Sequence, residues 1–232
     1  MLDLLLLTII LPLLGAGGIL LLSFLLSRLD IEKGRVKVFI AAIILPIVVV
    51  ASILVFGSGG GSPIALSSLY PSLLAESTVE MRWDPTLWLL GLSLSVCIGC
   101  LLLGTGRGEP KAFSLAAVLL LLLSAGLAAL WSANLLTTIV CWAFYDLALA
   151  LGLIAAGGRR EDAIRALAVG TGAGLLLWVG GLMAGGGIGS VQWALMPPGG
   201  TKMSFWVLAG LVRLGAYPLH LSLPRHIRSK SP

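Results

Sequence analysis

Apolar runs long enough to cross a lipid bilayer recur along this chain, and the loops between them alternate in charge. A spanning helix needs about 20 mostly apolar residues, because each residue rises about 1.5 Å and the hydrocarbon core is about 30 Å thick. The runs are Leu2–Ser27, Val38–Phe56, Leu87–Leu103, Phe113–Trp131, Leu135–Ala156, Ala163–Ala184 and Ser204–Leu221. The loop after the first carries Arg28, Lys33, Arg35 and Lys37. The loop after the third carries Arg107 and Lys111, and the one after the fifth carries Arg159, Arg160 and Arg165. Arg225, Arg228 and Lys230 follow the seventh. Of the 15 lysines and arginines, only Arg82, Lys202 and Arg213 lie elsewhere. Basic residues concentrate in cytoplasmic loops, so the pattern predicts an external N-terminus and a cytoplasmic C-terminus.

Composition agrees with this reading. Hydrophobic residues make up 58% of the 232 and charged residues 11%, against about 25% charged in a soluble domain. The expected fold is an all-α membrane protein with about seven transmembrane helices, forming a single transmembrane domain over residues 1–232. The net charge of +5 comes from loop lysines and arginines. No basic patch is interleaved with exposed aromatics, which excludes nucleic acid as a partner. The first run has no positive n-region and far exceeds the roughly 7–15 apolar residues of a signal peptide, so it reads as a retained helix. Cys97 and Cys100 form "CIGC" inside an apolar run without a second ligand pair. They read as packing residues, and no metal or cofactor site is expected.

The longest loop, Gly57–Asp84, begins with "GSGGGS" and has room for a short interfacial helix around Leu69–Leu74. "GGGIGS" and "MPPGG" mark a second loose loop before the last run. Two glycine-rich stretches lie inside helices. "GTGAG" at 170–174 lacks the preceding strand of a dinucleotide site, and "GAGG" at 15–18 sits in the first run. Both read as close helix packing through small residues.

Ionisable groups within the runs carry the functional signal. A charge near the bilayer centre costs several kcal/mol, so it faces the protein interior or a hydrated path. Asp146 lies about midway along the fifth run and Arg213 about midway along the seventh. An acid and a base at similar depth can pair across the bundle, either as part of an ion path or as a lock between two helices. Asp3 and Asp84 sit near helix ends, where solvated termini are expected. After Arg213 come Pro218, His220 and Pro224. Each proline removes a backbone donor and frees a carbonyl, which predicts a seventh helix interrupted at Pro218. Broken backbone at membrane depth persists only inside protein or beside water. Imidazole relays protons near neutral pH, whereas arginine keeps its proton and acts as a fixed charge. The chain shows no nucleophile–base pairing and no phosphate loop.

The run from Arg213 to Pro224, "RLGAYPLHLSLP", resembles a motif of the form K-x-A-Q-x-P-x-H-x-W-L-P. That motif belongs to the antiporter-like proton-translocating subunits of respiratory NADH–quinone oxidoreductase (complex I). Membrane-bound hydrogenases and multisubunit sodium/proton antiporters share the same family. "NLLTTIVCWAFYDLALALG" at 134–152 looks like the family's D-L-L-x-F-F-x-x-W-E-L-x-S-L segment, and "RWDPTLWLLGLSLSV" at 82–96 looks like its acidic entry to helix three. The resemblance covers roughly residues 1–226. It implies three N-terminal helices over 1–110, a partial antiporter-like repeat over 111–226 and a basic cytoplasmic tail over 227–232.

The resemblance further implies a proton-translocating, or sodium/proton-translocating, subunit of a redox-driven or antiporter complex. Asp146, Arg213 and His220 would form the proton pathway, linked by water. The subunit itself would hold no cofactor, would partner other membrane subunits, and would reside in a bacterial or archaeal cytoplasmic membrane. The chain also departs from the pattern. The family's glutamate falls at Ala143, with Asp146 three residues on along the same helical face. Its lysine falls at Arg213, its tryptophan at Ser222 and the following acid at Arg225. The family is built of about fourteen helices in two inverted repeats, and this sequence ends after seven. These departures imply the alternative of a non-pumping structural or assembly subunit that keeps the family fold.

Overall fold

The computed structural model describes residues 2–26, 48, 54, 64–65, 79–82, 87–104, 112–155, 157–184, 191–193 and 200–213. Among these the helices are α1 (Leu2–Leu26), α2 (Trp88–Gly104), α3 (Ala112–Leu130), α4 (Leu135–Ala155), α5 (Arg160–Met183) and α6 (Thr201–Arg213). Helix α4 runs 21 residues and α5 runs 24, and both are long and apolar enough to cross a membrane. The second expected run, Val38–Phe56, lies outside the described residues apart from Val48 and Leu54, both helical. Pro218, His220, Pro224 and the Leu69–Leu74 segment also lie outside them. One departure from the all-helical expectation falls in the long loop. Ile64–Ala65 (β1) pairs antiparallel with Glu80–Met81 (β2), with Ile64 opposite Met81. Neither stretch belongs to an apolar run of helical period, so its backbone donors are paired across strands.

The chain divides into two compact units, the first made of residues 1–61, 83–131 and 155–157. In it α1 and α2 each pack on α3. Helix α1 buries Leu5, Thr8, Ile9, Pro12, Gly15, Ala16 and Ile19, a stripe of period three to four. Gly15 and Ala16 lie on that stripe, whereas a side chain at Gly17 or Gly18 would meet nothing within 4 Å. Only half of "GAGG" therefore serves close packing. The Ser124 hydroxyl on α3 donates to the Ile9 carbonyl at 2.8 Å. Pro12 interrupts the hydrogen-bond ladder of α1 without ending the helix. On α2, Gly91 lies against the fully buried Trp131, where a Cβ would come within 3.3 Å of the indole.

The second unit comprises residues 62–82, 132–154 and 158–232. Its apolar centre is Leu135, Leu177, Val191 and Ala209, flanked by Ile139, Trp142, Leu176, Trp193 and Trp206. Helix α5 packs on α6. The start of α4 is held by a knot of short extended segments. The Ala133 amide donates to the Glu80 carbonyl at 2.9 Å, Leu135 to Val191 at 3.0 Å, and Trp193 to Ala133 at 3.1 Å. Buried Asn134 caps the helix, its Oδ1 accepting from the Thr137 amide at 2.8 Å and the Thr137 hydroxyl at 2.6 Å. The Thr137 hydroxyl oxygen in turn accepts from the Glu80 amide at 2.9 Å. The Gln192 side chain donates to the Glu80 carboxylate at 3.1 Å, and the Trp193 indole donates to the Thr138 hydroxyl at 2.9 Å.

At the far end of α4, Gly157 takes φ 82°, which a side chain resists. The Gly158 amide reaches back to the Leu153 carbonyl at 2.8 Å, the bond that closes a Schellman turn. Helix α5 begins at Arg160, three residues before its first apolar position, because Glu161 and Asp162 in its first turn favour the positive end of the helix dipole.

The exposed face of α4 is apolar and its buried face is partly polar. Val140, Phe144, Leu147, Leu151 and Ile154 are exposed, while Thr137, Thr138, Cys141 and Asp146 are buried. A helix facing water has the opposite arrangement. Replacing the cap, Asn134→Ala, should lower stability by about 1 kcal/mol. Detergent-titrated unfolding should resolve that loss, while Ser93→Ala, which removes an exposed hydroxyl on α2, should be silent.

Candidate functional site

Residues 142, 145 and 146 lie one helical turn apart on α4, so their side chains fall on neighbouring parts of its surface. That turn meets the last residue of the described α6. Arg213 Nη2 donates to Asp146 Oδ2 at 2.5 Å and to the Trp142 carbonyl at 3.1 Å. The guanidinium carbon lies 4.2 Å from the centre of the Trp142 ring and 5.7 Å from that of Tyr145. Both charged side chains are largely shielded, at 17% exposure for Arg213 and 9% for Asp146. Arg213 Nε is also buried and finds no hydrogen-bond partner among the described residues. The cation is thus held by a carboxylate, a backbone oxygen and an aromatic face, all from one turn of one helix. Desolvated cation–π contacts contribute about 2 kcal/mol.

A third helix also approaches the carboxylate. Gly170 of α5 lies against it, so closely that a Cβ there would overlap Cγ and both oxygens of Asp146. A side chain at Gly172 or Gly174 would meet nothing within 4 Å. The "GTGAG" stretch is therefore not a uniform packing surface: Gly170 and Ala173 are buried, and the other two glycines are not.

The structure brings Asp146 and Arg213 together. His220, Pro218 and Pro224 lie outside the described residues. The expectation that Ala143 and Asp146 share a helical face is corrected, because Ala143 is exposed while Asp146 is buried. A three-residue step leaves about 60° between side chains, enough here to put them on either side of the edge of the buried stripe. Asp146 is the carboxylate that meets Arg213. Sequence reasoning missed Trp142, Tyr145 and Gly170. The three- and four-residue spacing of Trp142, Tyr145 and Asp146 was the available signal for the first two. The expectation of buried packing cysteines is corrected for Cys97 and Cys100, which are exposed on α2, whereas Cys141 is buried on α4. Among the described residues no three His, Cys, Asp or Glu side chains converge as metal ligands do.

Chemically, the site is an acid–base pair in which one member can exchange a proton and the other stays charged. Removing one partner strands the other charge, and a buried pair broken in this way costs about 3–5 kcal/mol. Arg213→Leu should show a loss of that size in detergent-titrated unfolding, and Asp146→Leu combined with Arg213→Leu should recover most of it.

No protein-family model matches the sequence, and no curated protein matches it.

Proposed function

We propose that this chain is an integral membrane subunit that takes part in proton, or sodium/proton, translocation within a multisubunit redox-driven or antiporter complex. The observation that carries this reading is the buried Asp146–Arg213 pair, set between apolar helices and closed by the backbone of a third. The outward apolar face of α4 and the alternation of basic loops support seven spans, an external N-terminus and a cytoplasmic C-terminus. A bacterial or archaeal cytoplasmic membrane is the location that the likeness to antiporter-like subunits suggests. The motifs around residues 82–96, 134–152 and 213–224 support the likeness to antiporter-like subunits, with other membrane subunits as partners.

In this reading Asp146 gains and loses the proton. Its charge is balanced by Arg213 while the pair is closed. A proton arriving on the carboxylate removes the attraction, and the guanidinium keeps its hold on the Trp142 carbonyl and ring. Losing the proton restores the pair. Water and His220 would connect the acid to the membrane surfaces, and the driving force comes from partner subunits.

The strength of the hold on Arg213 favours a second reading. A cation fixed by three groups on one helix turn is also a good lock between α4 and α6, as a non-pumping scaffold or assembly subunit requires.

One substitution separates the two. Asp146→Asn in the complete complex, reconstituted into liposomes, should abolish pH-gradient formation while the subunits still co-purify. Undiminished pumping in that variant would sink the first reading and leave the scaffold. Single cysteines placed at Arg107 and Arg160, in a background without Cys97, Cys100 and Cys141, should react with impermeant thiol reagents only from the cytoplasmic side. Labelling from outside would overturn the orientation.

A further inference from the structure

We propose that Gly170 is a positioning residue for the Asp146 carboxylate, acting through the bare backbone of α5; this rests on the translocation reading of the same pair. The carboxylate meets both the backbone of Gly170 and the Arg213 guanidinium. An added Cβ would come within 2.6 Å of Oδ1 and closer still to Cγ and Oδ2. Aspartate has one methylene between backbone and carboxylate, so few staggered positions are open to it. With a methyl group at 170 the carboxylate has to leave Arg213, or α4 and α5 have to move apart.

The chemistry of the wall matters as much as its shape. A glycine backbone inside a helix has spent its amide and carbonyl on the helix ladder. What it presents to the carboxylate is a Cα–H edge, at best a weak donor. Arg213 is then the strong partner of the charged acid, and no side-chain donor from position 170 competes for it. A serine or asparagine there would bring its own donor as well as the same steric clash. Glycine lets the state of the pair depend on the two charged groups. Position matters too, because Gly172 and Gly174 face open space and carry no such duty.

The test compares Gly170→Ala with Gly172→Ala and Gly174→Ala in the reconstituted complex. Two quantities are read: pH-gradient formation, and the solid-state NMR signal of the Asp146 carboxyl carbon, assigned by its disappearance in Asp146→Asn. Gly170→Ala should move that signal and abolish gradient formation, while the other two variants change neither. An unmoved signal with undiminished pumping in Gly170→Ala would overturn the proposal. If Gly170→Ala does not assemble, it is repeated in an Asp146→Ala background, where the shorter side chain leaves room for the methyl. Absence of any further loss in that background supports the contact as the cause, and an equal loss overturns it. The carboxyl signal responds to Gly170→Ala even if Asp146 carries no proton flux. Failure of the translocation reading, seen as normal pumping in Asp146→Asn, is therefore distinguishable from failure of the positioning role.

Discussion

Asp146 and Arg213 form an ion pair largely shielded from solvent, with the Trp142 carbonyl and ring as further partners of the cation. Opening the pair in that setting strands two charges, and several kcal/mol separate the closed arrangement from any geometry that misses it. The requirements on the rest of the second unit follow from this. Helix α4 has to present residues 142, 145 and 146 at a fixed rotation, and α6 has to deliver its last described residue to that turn. Helix α5 has to pass close by without a side chain at one position. The polar knot at the start of α4 and the glycine corner at its end fix the helix between two anchored points. Neither touches the charges, yet both set the rotation and depth at which Asp146 stands.

The distribution of polarity points the same way. Thr8, Ser95, Ser124, Asn134, Thr137 and Thr138 are buried, and several find partners within the protein, as in Ser124 to Ile9 and Thr137 to Asn134. On α4 Val140, Phe144, Leu147, Leu151 and Ile154 turn outward. In water this arrangement would expose apolar surface far beyond what a soluble monomer tolerates. In hydrocarbon it is the economical one, because an unpaired polar group there costs several kcal/mol whereas an outward leucine costs nothing.

Much of this was legible in the sequence, for reasons that differ from element to element. The runs at Leu87–Leu103, Phe113–Trp131 and Leu135–Ala156 match α2, α3 and α4 to within a residue, because Pro85, Gly104, Pro110 and Gly157 punctuate the outer ends and Ser132 and Asn134 separate α3 from α4. The starts of α5 and α6 come three residues earlier than the apolar pattern indicates, since Arg160, Glu161 and Asp162 in one and Thr201 and Lys202 in the other do not register as apolar periodicity. The pairing of Asp146 with Arg213 could be inferred from depth alone. The partners that complete the site could not. Trp142 and Tyr145 depend on which way α4 is rotated, and Gly170 on which glycine of "GTGAG" meets α4. Both are properties of packing, and small-residue patterns do not encode them. The two-residue strand pair in the long loop escaped for a simpler reason, being too short to show alternation.

The corner at Gly157 and Gly158 sets more than the end of a helix. Asp146 lies nine residues before the last residue of α4, and Gly170 lies ten residues after the first residue of α5, so both stand roughly 14–15 Å from the turn. The chain folds back on itself and the two positions come level by counting. A one-residue insertion between them would rotate Val169 into the place of Gly170, and a one-residue deletion would bring Thr171 there. Either would set a branched side chain against the carboxylate. Length within these two helices is therefore constrained as tightly as composition: substitutions along their outward apolar surface leave the register intact, whereas a residue gained or lost inside either helix between Asp146 and Gly170 breaks it.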